Sequence, residues 1–123
     1  MSRLSVIVLL VFLLAQAMLL SGCAHRVGDL TALSTRNVSL NKIDIDTLPQ
    51  SKAVEGRSSA FMLLFIPLGI PHLEDAVDDA LNKGDGDLML DPVIYMGGWW
   101  FIVGESSITV KGNVVNTKGG KVQ

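Results

Sequence analysis

One cysteine and two histidines are all the thiol and imidazole that the 123 residues offer. A single cysteine excludes an intrachain disulfide, a CxxC pair and a cysteine zinc cluster. His25 and His72 lack the HxxxH or HExxH spacing that places two ring nitrogens on one helix face. Charge is scarce too, at 18% of the chain with a net of −2. The basic residues are scattered, whereas a nucleic-acid surface needs clustered Lys and Arg to displace phosphate counterions, so nucleic acid is not among the expected partners. No GxSxG elbow occurs: Ser106 and Ser107 follow Gly104 and Glu105, and no other nucleophile has a base at motif spacing. The expectation is a non-enzyme without metal or diffusible cofactor.

The acidic stretch Asp75, Asp78, Asp79, Asp85, Asp87 and Asp91 has the composition of a calcium site but not its order. An EF-hand loop alternates oxygen ligands and closes on a Glu, and here Asp85-Gly86-Asp87 runs straight into Leu88 and Met89. A solvated helix face followed by a turn accounts for the aspartates.

Size allows one domain with a modest core. The hydrophobic share of 49% is high for such a domain, and much of the excess sits at the N-terminus. Arg3 precedes an unbroken apolar run from Val6 to Ala15, with small residues at Ser21 and Gly22. The apolar segment from 4 to 20, interrupted by Ser5 and Gln16, falls short of the roughly twenty apolar residues that cross a bilayer. A positive n-region, a short apolar h-region and small residues beyond it are the marks of a secretory signal, expected over residues 1–22.

Leu20-Ser21-Gly22-Cys23 resembles the bacterial lipobox, with Leu at −3, small residues at −2 and −1, and the obligatory Cys at +1. That resemblance implies cleavage after Gly22, a diacylglycerol thioether on Cys23 and acylation of the new amine. Two or three acyl chains hold a protein on a membrane essentially permanently, since each buried methylene contributes about 0.8 kcal/mol. Ala24 stands where proteins with this motif carry Asp if retained at the inner membrane. The resemblance therefore implies the periplasmic face of the outer membrane of a Gram-negative bacterium.

Beyond a spacer over 23–29, the domain is expected over 30–115 with a flexible tail over 116–123. Leu30 to Val38 reads as a half-buried strand, and Ile43 and Ile45 continue with period two until Pro49. Phe61-Met62-Leu63-Leu64-Phe65-Ile66 is uniformly apolar and reads as a buried central strand. Leu73, Ala76, Val77, Ala80 and Leu81 recur at helical spacing within 71–83, with Gly84 where a left-handed cap is wanted. Leu88 to Met96 is a strand kinked at Pro92, Gly97-Gly98 a hairpin signal, and the returning strand alternates Ser106, Ile108, Val110, Gly112 and Val114 on one face. The order β-β-α-β-β predicts an α+β fold, a mostly antiparallel sheet of about four to five strands with one helix packed on it.

Trp99, Trp100 and Phe101 are the candidate interaction surface. Adjacent strand residues point to opposite faces, so both faces receive a tryptophan. Either both are buried within the domain, or one is covered by a partner or the membrane interface, where Trp is favoured.

The segments Phe65-Ile66-Pro67-Leu68-Gly69, Leu73 to Leu81, Gly84-Asp85-Gly86-Asp87-Leu88 and Val110-Lys111-Gly112 resemble small bacterial lipoproteins of the TRL-like type. The resemblance spans most of residues 23–115, its motifs are structural, and it carries no activity. The function expected is a membrane-anchored, non-enzymatic interaction or assembly component of the cell envelope, meeting an envelope protein or a second copy of itself. The alternative is a small-ligand or lipid carrier or sensor in the periplasm.

Overall fold

The computed structural model describes residues 3–19, 22–39, 41, 48 and 50–119. The first element, α1 (Arg3–Leu19), is apolar all round, and its side chains are exposed from residue 3 to 15. No helix among the described residues is long and apolar enough to cross a membrane. The rest is an α+β arrangement with six strands in chain order: β1 (His25–Asp29), β2 (Ala32–Leu33), β3 (Gln50–Leu63), β4 (Ile66–Pro67), β5 (Leu88–Trp100) and β6 (Val103–Val115). Helix α2 (Leu73–Lys83) joins β4 to β5. All pairings are antiparallel, in the order β1-β5-β6-β3-β4, with β2 also against β5.

The stripe expected on α2 is the core. Ala76, Val77, Ala80 and Leu81 are buried against Met89, Val110 and Val114, with Leu33, Val54, Leu73, Ile94 and Ile108 packed around them. A smaller cluster on the opposite face joins Leu88, Leu90 and Val115 to Leu48. The two clusters take alternate residues of β5, Met89 on one face and Leu88 and Leu90 on the other, and a bulge at Asp91 and Pro92 follows them. Leu90 pairs with Asn113 and Val93 with Lys111, so two residues of β5 stand opposite Gly112 alone. Asp91 takes φ 49. One extra residue reverses the parity of everything after it. The kink at Pro92 was legible in the sequence; the change of face was not.

The helix can approach because β3 offers no side chain at Gly56, directly beneath it. A Cβ on Gly56 would lie 1.9 Å from the Ala76 carbonyl oxygen and 2.5 Å from the Ala80 nitrogen. Along 53–60, β3 has β6 on one side and an open edge on the other, where bare peptide groups invite pairing with other chains. Side chains of α2 occupy that edge. Asp79 accepts the Arg57 N–H at 3.0 Å, and Lys83 donates to the Glu55 carbonyl at 3.2 Å and to Asp79 at 2.5 Å.

Several expectations are corrected. Strand formation begins at His25, not Leu30, so residues 25–29 of the expected spacer belong to the sheet. This strand is exposed at four of its five positions, and a strand wet on both faces carries no alternating pattern to read. Ile43 and Ile45 lie outside the described residues. The run from Phe61 to Ile66 is not a buried central strand: it closes the β3–β4 hairpin at the end of the sheet, where Phe61 is 59% and Phe65 83% exposed.

Gly97 and Gly98 are not the hairpin turn; they lie inside β5, and the turn is at Phe101 and Ile102, where the Phe101 N–H reaches the Val103 carbonyl at 3.2 Å. The two glycines mark close approach instead. A Cβ on Gly97 would meet Ala24 at 2.9 Å, and one on Gly98 the Glu105 carbonyl at 2.6 Å.

Gly84 is right-handed, with φ −84, and the left-handed C′ residue is Asp85 at φ 51. Gly86 N–H to the Leu81 carbonyl and Asp85 N–H to the Asn82 carbonyl complete a Schellman ending. Gly84 and Gly86 are small because Val114 packs against both.

The expected tail is tied down as far as it is described. Thr117–Gly119 forms a single 3-10 turn, whose Thr117 gives its N–H (2.7 Å) and hydroxyl (2.6 Å) to the buried Asp87 carboxylate. Burial raises the Asp87 pKa, and the Thr117 hydrogen bonds, with the Asp87 backbone N–H and the Lys118 charge, together hold the group below its ordinary value.

Gly56→Ala is expected to lower stability by about 1–3 kcal/mol through overpacking under α2. Gly28→Ala, where an added Cβ meets nothing within 4 Å, is expected to stay within about 0.5 kcal/mol. Urea denaturation of the two variants beside the parent checks both.

Candidate functional site

Three surface features converge on one end of the sheet. The first is Cys23, exposed and separated from β1 by Ala24 alone. Leu20 and Ser21 of the expected cleavage motif lie outside the described residues. Gly22 lies against the far end of β5: a Cβ there would be 2.7 Å from the Gly98 oxygen and 3.1 Å from the Trp99 Cβ. Pairing of His25 with Met96 sets Cys23 level with Gly98. Cys23 borders an apolar depression of about 360 Å³ whose lining includes Met62, Met96 and Trp100.

The second feature is the apolar tip beyond it. The β3–β4 and β5–β6 turns are joined by the Leu64 N–H to the Ile102 carbonyl at 2.8 Å, and the Trp100 indole N–H donates to the Leu64 carbonyl. The Phe65 ring lies 4.9 Å from that of Trp100 at 38°. Trp99 is 37% and Trp100 43% exposed, and Phe101, Ile102, Leu64, Ile66, Leu68 and Ile70 are more exposed still. Both tryptophans and Phe101, the candidate surface read from the sequence, are exposed, Trp100 and Phe101 at the tip and Trp99 on the trough face. The apolar partners from 61–70 were assigned to the core instead, because a run with no polar alternation reads alike whether it is buried or projecting.

The third feature is the sheet face opposite α2. Cross-strand register brings Arg57, Thr109 and Tyr95 to one rung and Phe61, Glu105 and Trp99 to another. Between them lies an open trough of about 500 Å³, closed at one side by Gly22 and Ala24. Its charges are paired: Arg57 meets Glu105 at 2.8 Å, and Lys111 meets Glu55 at 2.9 Å while standing 5.6 Å over the Tyr95 ring. The Glu105 pKa is lowered first by the Ser59 hydroxyl, against partial desolvation, and then by the Arg57 charge and the Trp99 indole N–H. The Glu55 hydrogen bond raises that of Lys111. Strand alternation alone could have grouped these residues, but only with the register of three strands known.

The aspartates of the acidic stretch are dispersed into structural roles. Asp78 accepts from Thr35, Asp79 caps the β3 edge, and Asp87 holds Thr117. Among the described residues no group of three or more His, Cys, Asp or Glu is placed to hold a metal ion. His25 and His72 lie on different elements, β1 and the N-cap of α2.

No protein-family model matches the chain, and neither a curated protein nor a solved structure matches it.

Because Trp99 stands directly across from Glu105 in the sheet register and is among the groups that lower its pKa, its emission is expected to report that group's titration. A folded-state pKa below the ordinary one means that the ionised contact is fully present above the usual glutamate range and is lost as pH falls through the lowered value. In a Trp100→Phe background the fluorescence transition is expected at a pH below that of a free glutamate, and Glu105→Gln is expected to abolish it. A transition at or above the free-glutamate value would contradict the Trp99–Glu105 contact.

Proposed function

We propose that this protein is an envelope lipoprotein, carried to the membrane by residues 1–22, anchored through acylated Cys23, and acting there as a non-enzymatic interaction or assembly component. The observation that carries the reading is Cys23 itself. It closes a lipobox-like tetrad, it is exposed, and one residue separates it from the first strand. Lipid on that sulfur fixes the sheet, not a loose leader, to the membrane surface. Ala24 at the next position favours the outer membrane, periplasmic face, by the resemblance drawn above.

The partner-facing surface in this reading is the trough. Its alternating charges and two aromatic rings suit a polar protein surface, and its carboxylates are already neutralised by Arg57 and Lys111, which supports binding over acid–base chemistry. Removal of residues 1–22 takes Gly22 from one wall but leaves the strand-borne lining of the trough, which supports a second reading, capture of a small polar envelope fragment on a concave surface of the kind that holds small ligands. The charges lining it make an apolar lipid the poorer occupant.

Mass spectrometry of the protein purified from membranes is expected to show an N-terminus at Cys23 carrying diacylglycerol and N-linked acyl mass. Cys23→Ser is expected to retain residues 1–22 and carry no lipid. A wild-type protein with a free Cys23 thiol would refute the anchor. A photo-crosslinker at Thr109 in intact cells is expected to capture an envelope protein, whereas a small molecule retained in the native mass spectrum, with no protein captured, would favour the second reading.

A further inference from the structure

We propose that the apolar tip built by the β3–β4 and β5–β6 turns is itself a membrane-contacting surface, seated in the headgroup and upper acyl region of the bilayer that holds Cys23. The inference rests on the lipoprotein reading and adds a second point of attachment to it. Segments 61–70 and 99–104 contain no charged residue. They expose Phe65, Leu68, Ile70, Trp100, Phe101 and Ile102 together. Large aliphatic and aromatic side chains with tryptophan at the margin are the composition that lies in a membrane interface. The charged groups of the sheet that point nearest the tip are already paired, Glu105 with Arg57.

What covers the tip follows from where hydrocarbon joins the chain. Cys23 is level with Gly98 and borders the same apolar depression as Met62, Met96 and Trp100. Trp100 lies two strand steps beyond Gly98, so the turn stands about 7 Å farther out than the anchor. That projection falls within the roughly 5–10 Å depth of interfacial apolar groups.

A second protein layer does not fit in between. Only Ala24 links Cys23 to β1, and the two steps from Cys23 to His25 reach about 7 Å at full extension, less than the roughly 10 Å thickness of a packed layer. An acylated Cys23 thus brings the tip to the bilayer with no room for another fold.

The test uses the protein as isolated from membranes, lipid included, reconstituted in vesicles of phosphatidylethanolamine and phosphatidylglycerol, as Trp99→Phe so that Trp100 is the single tryptophan. Brominated acyl chains are expected to quench Trp100 emission, with a shift to shorter wavelength, while aqueous iodide leaves it bright. Adding Phe101→Ser and Ile102→Ser, two exposed turn positions outside the core, is expected to reduce the bromolipid quenching while the protein still sediments with the vesicles. A sedimenting protein whose Trp100 is quenched by iodide and not by bromolipid overturns the tip contact alone. So does crosslinking between copies through position 102 without bromolipid quenching, which would assign the tip to self-association. Failure to sediment, with a free thiol at Cys23 by mass, overturns the anchor and the tip contact together.

Discussion

Helix α2 rests on β3 and β6 over Gly56, where Ala76 and Ala80 approach the strand backbone too closely for any β-carbon. Most of the other features of the domain depend on that contact. An eleven-residue helix is about 16 Å long, whereas thirteen residues of β5 or β6 extend about 43 Å. The helix can cover only part of one face, and it covers the part that carries Val110 and Val114. The other end of the long hairpins is left without a layer above it, and there the large apolar residues of both turns gather.

The same geometry divides the sheet by chemistry. Under and beside α2, the polar side chains are committed to structure: Asp79 and Lys83 close the β3 edge, Arg36 reaches the Gly86 carbonyl and Asn82 at 2.7 Å each, and Asp87 gathers the C-terminal turn. Opposite α2, charges pair with one another across an open trough. At the tip there are no charges. The surface is thus apolar at one end and ion-paired along one face, the polarity on which the proposed orientation by an anchor at Cys23 rests.

The bulge at Asp91 and Pro92 decides which tryptophan serves which surface. It places Met89 on the α2 face before the insertion and Ile94, Met96 and Trp100 there after it, leaving Tyr95 and Trp99 to the trough. Without the extra residue Trp99 would join the Cys23 side and Trp100 would join Glu105. The backbone groups freed by the bulge are met by the β1–β2 connection, through the Asp91 N–H to the Thr31 carbonyl and the Leu30 N–H to the Pro92 carbonyl, both at 3.0 Å. The short β1 and β2 strands adjoining Cys23 are thereby locked to the bulge that sorts the aromatics.

Local physics made much of this legible in the chain itself: a helical stripe from Leu73 to Leu81, a two-faced last strand, a kink at Pro92, a single cysteine in a distinctive tetrad, and an α+β class with an antiparallel sheet. Those features depend on neighbours a few residues apart, and sequence records such neighbours directly. Register, parity and exposure depend on residues far apart. Whether Phe61 to Ile66 projected or was buried turned on the length of α2 against β3, and whether Gly97 and Gly98 made a turn turned on the approach of Ala24 and Glu105. The exposed β1 pairs through backbone atoms that every residue shares, so no side-chain pattern announced it. Composition and periodicity determined helix α2 and the two-faced last strand; only the packed sheet decided that the cysteine and the aromatic tip would stand at the same end.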